Sequence, residues 1–238
     1  MIVALCSLGL ASCGGSSEVT TPASMVRSIP GTSQAPAELA DACRRAAEQV
    51  SIAVLCPRLL PEGGFEVPRE YGNGPCTYLL NLEPRGMNQR PGSVFHLLIG
   101  GTCRPWNLTA PDGRWPEQPN FPDDRDLRLI GKTSLDPEQP QEPARRVRLD
   151  VIRRTRVGSA PALVLRNPAY PVGGIHGGHL TVVWNHAGSG FAVSGHPVGL
   201  DTTRSDPARH AIVARASRTL LGVAASMGPA RSGIRRGN

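Results

Sequence analysis

The stretch HLTVVWNHAGSGFAVSGH, residues 179–196, reads as two strands folded back around a small-residue turn. Leu180, Val182 and Trp184 alternate with Thr181, Val183 and Asn185, and Phe191 and Val193 alternate with Ala192 and Ser194. That period of two marks strands with one face in a core. If Trp184 pairs with Phe191, then Val183 falls opposite Ala192, Thr181 opposite Ser194 and His179 opposite His196. Leu180, Val182, Trp184, Phe191 and Val193 then all point to the core, and the C-terminal half is committed to antiparallel sheet.

Upstream of that stretch, Val147, Leu149 and Val151 alternate with Arg146, Arg148 and Asp150, which predicts a half-buried strand with 162–165 as its hairpin partner. Further strands are expected at 77–82 and 93–99, at 52–60 on an edge where Pro57 interrupts it, and as a short piece at 127–130. The Pro- and Gly-rich stretches 61–75, 83–92, 104–126 and 136–143 read as loops. Leu39, Cys43, Ala46 or Ala47, and Val50 recur at helical spacing and predict a helix over 36–50, with Pro36 in its first turn. A second helix is expected over 207–226: Ser205-Asp206-Pro207 supplies a cap and an early proline, and Ile212, Ala216, Leu220 and Val223 line one face. The expected fold class is α+β, a curved antiparallel sheet with an N-terminal and a C-terminal helix packed on one side.

The N-terminus carries the address. Residues 1–11 hold no charge, and a helix of that length rises only about 16 Å, too little to span a bilayer. Leu10-Ala11-Ser12-Cys13 resembles the lipobox of bacterial lipoproteins. The resemblance implies a signal peptide over 1–12, cleavage before Cys13, and lipidation of its thiol with a diacylglycerol or palmitate-type anchor. A Gly/Ser/Thr/Pro tether follows over 13–35, then one domain over 36–227 and a basic, disordered tail over 228–238. The last hundred residues, with Gly177-Gly178-His179 ahead of Trp184, Ser194-Gly195-His196 and the capped helix, resemble uncharacterised secreted proteins of high-GC Gram-positive bacteria. The implied location is extracytoplasmic, anchored to the outer face of the cytoplasmic membrane.

The cysteines agree with that compartment. Cys43, Cys56, Cys76 and Cys103 remain beyond the leader, an even number, as oxidising compartments favour. Three pairings are possible. A helix bearing Cys43 followed by a strand bearing Cys56 favours Cys43–Cys56, which leaves Cys76–Cys103. A four-cysteine zinc site would need C-x-x-C pairs, and the sequence has none.

Lys132 is the one lysine among 26 basic residues, and the formal net charge is +7. Such a surface favours anionic lipid or phosphate-bearing wall polymer as a partner. Nucleic acid is not expected, because no aromatic-studded basic patch or reading helix accompanies the arginines. The densest basic run is Arg145, Arg146, Arg148, Arg153, Arg154 and Arg156, whose planar guanidinium groups suit phosphate.

Four of the six histidines lie between Gly173 and His196. Opposed residues on paired strands have Cβ atoms about 4.5–5.5 Å apart, so His179 and His196 could share a metal ion, completed by His176 or Asp201. Alternatively, paired imidazoles make the face sensitive to acid. The simplest expectation is a polar, solvated hairpin face. No G-x-S-x-G elbow is present, and the Gly173–Gly178 run lacks the lysine and following helix of a phosphate loop. The expected function is a non-enzymatic binding or sensing domain of the cell envelope, with no cofactor. The alternatives are a metal-dependent or hydrolytic enzyme built on His176, His179 and His196, and a wall-polymer binder built on Arg145–Arg156.

Overall fold

The computed structural model describes residues 29–66, 69–72, 75–86, 90–109, 149–167, 178–200 and 205–230. Among the described residues two helices and antiparallel sheets make a mixed α and β protein, built largely of strands. In chain order the elements are β1 (Thr32–Gln34), α1 (Ala37–Gln49), β2 (Leu55–Cys56), β3 (Leu59–Pro61), β4 (Arg69–Gly72), β5 (Thr77–Leu82) and β6 (Val94–Thr102). There follow β7 (Asp150–Val157), β8 (Ala160–Arg166), β9 (Leu180–His186), β10 (Ser189–Pro197), α2 (Asp206–Ser226) and β11 (Gly228–Pro229).

Among the described residues seven strands form one sheet in the order β4-β5-β6-β10-β9-β8-β7, and every pairing in it is antiparallel. The β9–β10 hairpin has the expected register: Trp184 opposes Phe191, Val183 opposes Ala192, and Thr181 opposes Ser194. Its turn has positive φ at both Ala187 (47°) and Gly188 (79°), the mirror-image geometry that matches the twist of a two-residue hairpin. Strand β6 lies beside β10, far away in sequence, with Leu97 opposite Gly195 and His96 opposite His196.

Alternation then sorts the side chains. Tyr78, Leu80, Leu82, Leu97, Ile99, Val164, Leu180, Val182, Trp184, Phe191 and Val193 join one buried cluster with Leu39, Ala42, Cys43 and Ala46 of α1 and Ala216, Leu220 and Val223 of α2. Helix α2 meets β10 where the sheet carries Gly195: a Cβ there would lie 2.5 Å from Val94 Cγ1 and 3.1 Å from Leu220 Cδ2. A second, smaller cluster occupies the alternate positions, with Leu163, Leu165, Val183 and Ala192 under Trp106.

Disulfides join Cys43 to Cys56 and Cys76 to Cys103, with Cα separations of 5.9 and 5.0 Å. The first ties α1 to β2, the second the start of β5 to the end of β6. Tyr78 adds a polar pin: its hydroxyl accepts from the Leu55 amide (3.0 Å) and donates to the Leu55 carbonyl (3.2 Å).

Several expectations need correction. The 52–60 strand is two short strands, because Pro57 lacks the amide a continuous ladder needs; β2 pairs with β11 and β3 with β1. Those partners come from stretches read as tether and tail: Thr32–Gln34 lies within 13–35, and Gly228–Pro229 within 228–238. The Ala230 amide also reaches the Val54 carbonyl, at 2.8 Å. Strand β4 occupies part of the expected 61–75 loop. The arginine-bearing strand begins at Asp150 and runs to Val157. Its β-branched and arginine residues pair with β8 around the Gly158-Ser159 turn, with a bulge between Val151 and Arg153. Pro36 is the N-cap of α1 rather than its first turn, and Ser205 caps α2 without a side-chain hydrogen bond. The expected strand at 127–130, the loop at 136–143, Cys13 and its leader all lie outside the described residues.

Candidate functional site

On the sheet face away from the large core cluster, β10 runs down the middle of a polar patch. Asn81 opposes Leu98, Leu98 opposes Ser194, and Ser194 opposes Thr181. The next row toward the strand ends carries His96 opposite His196, and His179 just before β9. Three imidazoles thus stand on two adjacent strands and at the start of a third.

They are close. The His179 ring centroid lies 5.4 Å from that of His196 and 5.6 Å from that of His96, each edge-on at 75° and 63°. Phe95 flanks His196 at 6.2 Å. His179 Nδ1 is 3.1 Å from Ser194 Oγ, which in turn is 2.8 Å from Thr181 Oγ1. On the other side His96 Nδ1 lies 3.3 Å from Glu83 Oε2, and Asn81 Nδ2 donates to Glu83 Oε1 at 3.1 Å. A line of polar contacts therefore runs from Asn81 through Glu83 and His96 to His179, Ser194 and Thr181.

Burial changes the meaning of this face. His179 is 4% exposed and Ser194 6%, so the patch is not the solvated hairpin side that alternation alone predicts. Trp106 covers the other end of the same face. Its Nε1 donates to the Phe191 carbonyl (2.9 Å), its amide donates to Asn185 Oδ1 (2.7 Å), and Asn185 Nδ2 donates back to its carbonyl (2.9 Å). Residues 105–109, expected as surface loop, thus dock on the sheet through Trp106 over the Cβ-less Gly190. Buried polar groups are tolerated when their hydrogen bonds are made, and such networks are rigid and sensitive to charge.

Chemically, the arrangement sets three imidazoles close enough for a charge on one to act on the others. The Ser194 hydroxyl is shared between His179 and Thr181 inside the fold, which is a positioning role rather than that of an open nucleophile. Among the described residues no group of three His, Cys, Asp or Glu side chains is disposed to hold a metal ion. Of the expected metal set, His179 and His196 come together, while His176 and Asp201 lie outside the described residues.

Sequence reasoning missed His96, Glu83 and Asn81. His96 had a usable signal, since it sits in a strand pattern at a position alternating with Leu97. What it lacked was the knowledge that β6 lies beside β10, almost a hundred residues away.

The arginine row is partly visible. Arg153, Arg154 and Arg156 are exposed on β7, whereas Arg145, Arg146 and Arg148 lie outside the described residues. Arg154 Nη1 donates to the Leu108 carbonyl at 3.2 Å, and Arg156 bonds the Ser159 carbonyl. At the end of the same hairpin Arg166 pairs with Asp150 at 2.9 Å. No described helix is long and apolar enough to cross a membrane. No protein-family model matches the chain, and no curated protein matches it.

Proposed function

We propose that the chain is a lipid-anchored protein of the cell envelope, held through Cys13 at the outer face of the cytoplasmic membrane, and that its folded part is a non-enzymatic sensing domain. In this reading the helix-backed side of the sheet, curved around α1 and α2, is scaffold, and the face bearing His96, His179 and His196 is the sensor. The observation that carries it is the buried His179 between two other imidazoles, each within 6 Å of its ring. Protonating two such rings together sets like charges about 5.4 Å apart. At an effective dielectric of about 20 that repulsion is roughly 3 kcal/mol, enough to move a marginally stable hairpin end. The two disulfides support the oxidising compartment this requires.

Two measurements test it. Mass spectrometry of the membrane fraction is expected to find a mature chain beginning at a diacylated Cys13, released by Cys13→Ala; recovery of the intact leader with free thiols in the soluble cell interior overturns the address. For the sensor, NMR titration of the imidazole resonances is expected to show mutually dependent curves for His179 and His196. His179→Gln should leave His196 titrating as a single group. Independent curves for the two in the unaltered protein overturn the sensing site. Zinc that shifts all three rings at stoichiometric amounts redirects the assignment to the metal-dependent alternative.

A further inference from the structure

We infer that the outer edge of β7 takes an extended, acidic segment of a partner polypeptide as an added strand. Strand β7 ends the seven-stranded sheet, and among the described residues it pairs with β8 alone. An edge strand of eight residues presents a row of backbone donors and acceptors that another chain can extend. Its inner residues are anchored, Ile152 and Val157 against the large core cluster and Val151 against the small one, so the edge is a rigid template.

Charge selects the occupant. Arg153 opposes Val164 and Arg156 opposes Pro161, so the guanidinium groups project on both faces of the edge. Neither has a carboxylate partner among the described residues, whereas the strand's only acid, Asp150, is already taken by Arg166. A second copy pairing antiparallel about Arg153 or Arg154, at the middle of the strand, would set that arginine against its own counterpart, and like charges directly opposed destabilise a ladder. The bulge and the arginines thus guard the edge against uncharged and basic strands while leaving it complementary to an acidic one. Wall polymer would use the same charges but not the backbone row, which separates the two partners experimentally.

The probe is an eight-residue peptide of two Glu-Thr-Thr-Glu repeats, whose acids three apart fall on both faces, added to the full mature chain at low salt and followed by calorimetry and by amide exchange of β7. Binding with slowed exchange confined to the β7 edge is expected. Arg153→Glu with Arg156→Glu should weaken it about tenfold, by turning two cross-strand attractions into repulsions. Should that variant not fold, Arg153→Gln with Arg156→Gln is read instead, with a smaller loss expected. Methylating alternate peptide nitrogens should abolish binding. The inference is overturned if the methylated peptide or inorganic polyphosphate binds as tightly as the peptide, if exchange slows elsewhere on the surface, or if the chain dimerises through β7 without peptide.

Discussion

The N-terminal part of the fold, up to Cys103, and the hairpins from β7 to β10 solve the same problem by different means. Upstream, β1, β2 and β3 are two or three residues long, and each pairs with a strand distant in sequence or equally short. Such ladders cannot set their own register. Two disulfides, the Tyr78 hydroxyl and the Ser226 hydroxyl do it for them; the last accepts from the Arg58 and Leu59 amides at 3.2 and 3.1 Å. Downstream, four strands of seven to nine residues need no covalent help, because slipping by one residue would turn every core side chain outward. Short strands demand clamps, and long alternating strands supply their own.

The comparison can be broken from either side. The largest effect is expected from Trp184→Ala, which removes a buried ring stacked on Phe191 at a 5.9 Å centroid distance. A loss of about 3–5 kcal/mol is expected in denaturant titration, with amide exchange rising across β8, β9 and β10. Opening the disulfides one at a time by paired Cys→Ala changes should cost about 3 kcal/mol each. The 27-residue Cys76–Cys103 link should count for about 0.6 kcal/mol more than the 13-residue Cys43–Cys56 link, since it closes the longer loop. Exchange should then rise around β2 and β3 while the hairpin amides stay protected. Uniform loss of protection would show that the two parts are not separately held.

Tyr78→Phe tests the polar pin. Losing both bonds to Leu55 should cost about 1–3 kcal/mol in thermal or chemical unfolding. Burial pushes the Tyr78 phenol well above its ordinary range, only partly opposed by the backbone bond to Leu55. A phenol raised in the fold stays neutral there while the unfolded chain ionises. Its stabilising contribution is therefore complete below about pH 10 and declines as pH rises further. The Phe variant should lack that alkaline decline. The smallest effect sharpens the hairpin side: Ala187→Asn, at a φ of 47°, should raise stability by up to about 1 kcal/mol, because asparagine tolerates the left-handed turn position better.

How much could be read beforehand follows the same division. The register of β9 on β10, the β5 strand, the core face of Trp184 and Phe191, and both helices were legible from periodicity and turn residues. So was the cysteine pairing, from a helix and strand close in sequence. Half of the histidine patch was legible too, because His179 and His196 share a hairpin. The other half was not. His96, Glu83 and Asn81 reach the patch only because β6 crosses over to lie against β10, a choice no local pattern records. The small pairings of β1 with β3 and β2 with β11 were equally hidden, being too short to carry a period.

Taken alone, the amino-acid order determined which residues alternate, where the chain turns and which sulfurs lie near each other, since steric preference and periodicity act over a few residues. Tertiary structure alone decided which strands become neighbours and how far the histidine face is withdrawn from water. Those outcomes depend on where apolar surface far apart in the chain is buried together, as Trp106 is against Gly190 and Phe191.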